Sequence, residues 1–142
     1  MSRIRIDIPE KFIFSTDIEI RITDLNYGGH VGNDTILSLV HEARVRFLKQ
    51  FGCTELNFGG IGLIMSDAGI EFKSESFYGD NIRVSVAVQG FSRVGFDLYY
   101  QLSRQPSNKI IALAKTGMIC YDYSLKKVVS VPEEAKSRLV GS

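Results

Sequence analysis

The chain has 142 residues, 44% of them hydrophobic, which is enough to bury one core along most of its length. A formal charge of +1 gives no bulk field to attract nucleic acid or an acidic membrane. No apolar run approaches the roughly 20 residues that span a bilayer, and "MSRIRIDIPEKF" mixes charges among its apolar residues in a way a signal peptide does not. A cytoplasmic protein without nucleic-acid or membrane partners is expected, and residues 1–142 read as one domain.

The first element is "FIFSTDIEIRIT" (12–23). Ile18, Ile20 and Ile22 alternate with Asp17, Glu19, Arg21 and Thr23, the period of a half-buried strand. After a glycine-rich loop the period changes. In "NDTILSLVHEARVRFLKQFG" (33–52), Ile36, Val40, Ala43, Phe47 and Phe51 recur at three and four, and Leu37, Leu39 and Leu48 widen the stripe. Asn33 or Asp34 suits the N-cap and Gly52 the stop, so one helix of about five turns is predicted.

Strands follow at 62–74, 81–91, 95–104 and 109–123, separated by turns at "YGD" and "QPSN". A short "VVSV" and a short helix in "PEEAKSRLV", with Pro132 at its start, close the chain. No helix separates the later strands, so the sheet is antiparallel and the class is α+β. One helix covers only one face of a five-stranded sheet. The sheet must curl around it, and the remaining face and edges call for a second subunit. Cys53 and Cys120 show no metal-ligand spacing and read as reduced thiols in or near the core.

The loop "DLNYGGHVGND" (24–34) holds the residues that could carry chemistry. Gly28 and Gly29 permit close backbone approach, just ahead of a helix whose first N–H groups lack partners. Such N–H groups, at the positive end of a helix dipole, suit an oxyanion or a polarised carbonyl. Asp24 could serve as base or nucleophile, and His30 could shuttle or orient a proton. The plain alternative is ordinary strand-to-helix turn chemistry, in which Asn, Gly and Asp are common.

"RITDLNYGGHVGNDTILSLVHEARVRFL" (21–48) resembles the signature of the hydroxybenzoyl-CoA thioesterase-like branch of the hotdog superfamily. Its pattern is Asp-x-Asp-x-x-Gly-His-Val-Asn-Asn ahead of a helix with Glu-x-Ala-Arg or Glu-Ala-Arg. Asp24, Gly29, His30, Val31, Asn33 and "HEAR" (41–44) match it, and "GIEFKSESFYGDNIRVSVAV" (69–88) resembles the strand and Gly-Asp turn that follow. The resemblance covers about residues 12 to 123. It implies the hotdog fold, a long central helix wrapped by a curved antiparallel five-stranded sheet. It also implies a homodimer that can pair into a homotetramer, and hydrolysis of acyl-CoA or acyl-carrier-protein thioesters without a cofactor or metal. The site would lie at the dimer interface beside the helix N-terminus. The thioester carbonyl would be held by backbone N–H at the Gly28–Gly29 loop and the helix N-terminus, with Tyr27, Val31 and Asn33 beside the substrate.

This chain departs from the pattern at the second Asp, commonly the catalytic carboxylate, which is Asn26, and at the first Asn of the pair, which is Gly32. An amide orients water or bonds a carbonyl but cannot act as a base near neutral pH. Asp24 is the favoured replacement, with His30 as partner; His30 acting directly, or Asp67 or Glu71 from the next strand, are the others. Catalytic candidates are therefore Asp24, Asn26 and His30. Glu42 reads as a surface partner of Arg46, and Arg44 as a residue burying its stem. Tyr27 and Phe58 are candidates for an acyl pocket. Two other readings stand beside hydrolysis: a protein that binds an acyl ligand without turning it over, and a hotdog dehydratase, which the "GGHVGN" loop fits less well.

Overall fold

The computed structural model describes residues 3–140. Strand β1 (Phe14–Glu19) leads through a single 3₁₀ turn (Ile22–Asp24) to helix α1 (Asn33–Gln50). Strands β2 (Gly62–Phe72), β3 (Asn81–Gln89), β4 (Gly95–Gln105) and β5 (Lys109–Asp122) follow. A two-residue β6 (Lys127–Val128) and helix α2 (Glu133–Val140) complete the described chain. The five predicted strands form one antiparallel sheet in the order β1-β3-β4-β5-β2, and β6 adds a sixth strand by pairing with the end of β5.

Alternation explains the core. Ile82, Val84 and Val86 of β3, Phe96, Leu98, Tyr100 and Leu102 of β4, and Ala112, Ala114, Met118 and Cys120 of β5 are buried. They share one hydrophobic cluster with Ile36, Leu39, Val40, Ala43, Phe47 and Leu48 of α1. The helix stripe read from the sequence is therefore the face α1 lays on the sheet, except that Leu37, counted in its widened edge, is exposed. Gly52, at φ +75°, ends the helix. Helix α2 closes that end, where Arg138 donates to the carbonyls of Phe51 and Gly52 and Ala135 and Leu139 are buried. The N-terminal end of α1 is left for the loop.

The first strand is shorter than its alternation suggests. Asp24 Oδ2 accepts the Arg21 N–H at 2.8 Å and so closes the 3₁₀ turn. That bond turns the chain and leaves Ile22 largely exposed, whereas the period-two pattern would have pointed it inward. Both cysteines are unpaired and buried. Burial raises the Cys120 thiol to about 11. Phe58 is fully buried against Phe96, so it belongs to the core.

A polar network crosses this core. Arg44 is buried, donating from Nε to Glu55 at 2.9 Å and from Nη1 to the Tyr100 hydroxyl at 3.4 Å. That hydroxyl meets Thr116 Oγ1 at 2.7 Å. Arg44 therefore buries its charged head as well as its stem. Burial of Tyr100 pushes its phenol above the usual range and keeps it neutral.

Candidate active site

The loop between the 3₁₀ turn and α1 folds back on itself as a small hairpin. Leu25 bridges Val31, and the Asn26 N–H donates to the His30 carbonyl at 2.9 Å. Asn26 makes the turn with its own side chain, because Oδ1 accepts the Gly28 N–H at 2.8 Å. The Gly29 N–H then donates to the Asn26 carbonyl at 3.0 Å, with Gly29 at φ +83°. A side chain would be strained at that φ.

The hairpin docks on the connection between β2 and β3. The Val31 N–H donates to the Ser76 carbonyl at 2.9 Å, and His30 bridges Phe77 with its ring set edge-on to the phenyl. The connection is braced by Asp80, whose Oδ2 accepts the Phe77 N–H at 2.8 Å and the Ser76 hydroxyl at 3.0 Å. The Gly-Asp of "YGD" is thus the clamp that holds the second wall of the site.

Between the two walls lies a cavity of about 510 Å³. Asn26, His30, Val31, Gly32, Asn33, Asp34 and Ile36 form one side, and residues 72–76 with Ile111 the other. Gly32 caps α1 without a side-chain hydrogen bond, so the helix opens into the cavity with the Asn33 and Asp34 N–H groups unsatisfied by the fold. The loop glycines play a different part from the one expected. The Gly28 and Gly29 N–H groups are both spent inside the hairpin. The helix start, the other half of that expectation, keeps its Asn33 and Asp34 N–H groups free beside the cavity.

Of the residues singled out in the sequence, the fold brings Asn26, His30, Val31 and Asn33 together. A methyl group on Gly28 would lie 3.1 Å from Asn26 Oδ1 and 3.4 Å from His30 Nε2, so the two side chains sit together over that glycine. Tyr27, at the hairpin tip, is fully exposed and outside this cavity. Asp24 is buried, bonded to the Arg21 N–H and paired with its guanidinium, and it lines a different recess with Arg21, Glu42 and Arg46. Neither Asp67 nor Glu71 lines this cavity. Asp67 pairs with Lys115 and accepts the Gly117 N–H, and Glu71 pairs with Lys73 and accepts the Ile6 N–H. Glu42 pairs with Arg46 at 2.8 Å, the surface role its spacing suggested.

The sequence reading missed Asp34 as a cavity residue, because its position suited an N-cap. On the second wall it singled out only Lys73, as one of several scattered basic residues that could meet phosphate, and missed Phe72, Ser74, Glu75, Ser76 and Ile111. The signals for that wall were the 69–88 resemblance and its "YGD" turn, which supplies the Asp80 clamp. Among the described residues no group of three or more His, Cys, Asp or Glu side chains could hold a metal ion. No helix of the described chain is long and apolar enough to cross a membrane.

Comparison with known proteins follows the same lines. The family model for the thioesterase-like superfamily matches residues 20–139. A 1,4-dihydroxy-2-naphthoyl-CoA hydrolase of Microcystis aeruginosa is 30% identical over 120 residues, covering 82% of this chain and 86% of its own. A 1,4-dihydroxy-2-naphthoyl-CoA thioesterase from Synechocystis superposes with a TM-score of 0.82 at 22% identity, covering 89% of this chain and 95% of that one. A Thermus thermophilus thioesterase in complex with coenzyme A and Zn superposes at 0.80 and 19% identity, covering 94% and 96%. The fold is the hotdog.

Proposed function

The chain belongs to the thioesterase-like superfamily, and on that premise we propose that it hydrolyses acyl-CoA thioesters in the cavity at the start of α1. The observation that carries the reading is the uncapped helix opening beside Asn26 and His30 into a space of about 510 Å³. The named activities of its relatives, hydrolysis of an aromatic acyl-CoA, support it.

Thioester hydrolysis needs a polarised carbonyl and a positioned water. In this reading the carbonyl oxygen accepts hydrogen bonds from the Asn33 and Asp34 N–H groups, and negative charge that builds as water adds is met by the positive end of α1. The Asn26 orientation follows from its network. Oδ1 is taken by the Gly28 N–H, so Nδ2 is the end left to hold the carbonyl or the water. His30 stands on the other side of Asn26, able to orient a proton in transit. Collapse of the adduct breaks the C–S bond and releases coenzyme A and the acid.

The same reading includes a homodimer. Strand β2 is an edge of the sheet with its 65–68 stretch exposed, and half-exposed Phe72 lies both on that strand and on the cavity wall. A partner along this edge would satisfy the free backbone groups and cover the site. Sedimentation should then give twice the chain mass.

The test is free-thiol release from a panel of aromatic and short, medium and long acyl-CoAs, with Asn26→Asp alongside. Turnover well above background on at least one substrate is the expected result. Binding without turnover is the second reading, favoured by the structural use Asn26 makes of its amide. It predicts thermal stabilisation by acyl-CoA with no thiol released.

A further inference from the structure

We propose that Asp34 is the general base of this site, an assignment that rests on the hydrolase reading. The base position of the pattern carries an amide, and most nearby carboxylates are engaged elsewhere. Asp24 is tied to Arg21, Asp67 to Lys115, Glu71 to Lys73, and Asp80 to the Ser76–Phe77 turn. Two carboxylates line the cavity, those of Asp34 and Glu75. Asp34 is exposed there and has no hydrogen-bond or ion-pair partner among the described residues.

Its location separates it from Glu75. A methyl group on Gly32 would lie 2.8 Å from Asp34 Oδ1 and 4.0 Å from Asn26 Nδ2, so the carboxylate and the free amide end flank the same bare backbone position. Asp34 also owns one of the two N–H groups that would hold the carbonyl, whereas Glu75 stands on the opposite wall. The side chains run in the order His30, Asn26, Asp34, with the donor end of the amide turned toward the carboxylate. A water held between them would have a donor for its oxygen and an acceptor for its proton. Asn26 and Asp34 together thus supply what one carboxylate at position 26 supplies elsewhere in the family.

The step balances. Asp34 takes a proton from water as the C–O bond forms at the thioester carbon, and the C=O electrons move onto oxygen. They return as the C–S bond breaks, and the proton on Asp34 passes to the leaving thiolate. The products are the acid and free coenzyme A.

The experiment compares wild type, Asp34→Asn and Glu75→Gln on whichever panel substrate wild type turns over fastest. Circular dichroism and melting temperature are recorded for each. Asp34→Asn should lower kcat by about 100-fold or more, the usual range for removal of a general base, with KM changed less than about threefold. Single turnover in ¹⁸O-water should place label in the released acid and none in the Asp34 peptide. Three results would overturn the assignment: kcat of Asp34→Asn within about tenfold of wild type, a loss that tracks a fall in melting temperature, or label in the Asp34 carboxylate, which would make it a nucleophile. Loss of turnover in Glu75→Gln with Asp34→Asn active would move the base to the other wall. A wild type silent on the whole panel fails the hydrolase reading itself, and the base assignment with it; this outcome is distinct because no variant need be compared.

Discussion

Gly28 and Gly29 are neighbours, yet an alanine at each should do opposite things. Gly28 has a backbone conformation open to any residue, so Gly28→Ala should leave stability within about 1 kcal/mol of wild type. Its new methyl group would lie 3.1 Å from Asn26 Oδ1, tighter than ordinary contact, and 3.4 Å from His30 Nε2, at the near edge of ordinary contact. Asn26 Oδ1 is held by the Gly28 N–H at 2.8 Å and cannot swing far, so the strain passes to the amide plane and the imidazole. A displacement of about 1 Å near a reacting centre can cost about 100-fold, and the few tenths required here should cost about tenfold in kcat/KM. Gly29 sits at φ +83° with no atom within 4 Å of an added methyl group. Gly29→Ala should therefore cost about 1–2 kcal/mol of stability, or about 3–8 °C in melting temperature, while disturbing turnover less than Gly28→Ala. Thiol release and thermal melts on the two variants decide it. Unchanged kcat/KM in Gly28→Ala would remove the Asn26–His30 pair from the chemistry.

Three further outcomes are expected. Tyr100→Phe keeps the ring but strands the buried Thr116 hydroxyl and one Arg44 N–H, so urea unfolding should show a loss of about 1–3 kcal/mol. Adding Thr116→Val to it should cost less than the sum of the two single changes, and strict additivity would refute the coupling. For Cys120 the folded thiol is raised from 9.0 to about 11 by burial, so the unfolded chain ionises first. Its contribution is whole below about pH 9 and is lost as pH climbs toward about 11, by at most about 2–3 kcal/mol. Tyr100, raised by burial, adds to the same alkaline loss, and Cys120→Ala should flatten the dependence of the urea midpoint on pH over that window. Asp24→Ala removes the bond that closes the 3₁₀ turn and should cost about 1–2 kcal/mol with an unchanged m-value, most of it from the lost cap because the Arg21 partner is largely exposed. Lost turnover at full stability in Asp24→Asn would return that carboxylate to the chemistry.

Patterns set by close neighbours were legible in the chain alone. The change from a two-residue to a 3.6-residue period marked where β1 gives way to α1, and Gly52 marked the stop. The lack of helices between the later strands made the sheet antiparallel, and the polar loop before α1 marked what becomes one wall of the cavity. Each of these depends on residues a few positions apart, where backbone sterics and side-chain reach are enough. What the tertiary structure decided depends on partners far along the chain. β1 lies beside β3 and β2 beside β5, pairings that no local pattern encodes. The second wall of the cavity, 72–76, reaches the loop only because Val31 bonds Ser76 and Asp80 braces the turn. Asp24 and Asp34 flank the same loop with the same side chain. One is drawn onto Arg21 and buried, and the other stands at the open end of a helix facing the cavity. Composition and spacing treat the two alike; only the packed chain gives each carboxylate its neighbours.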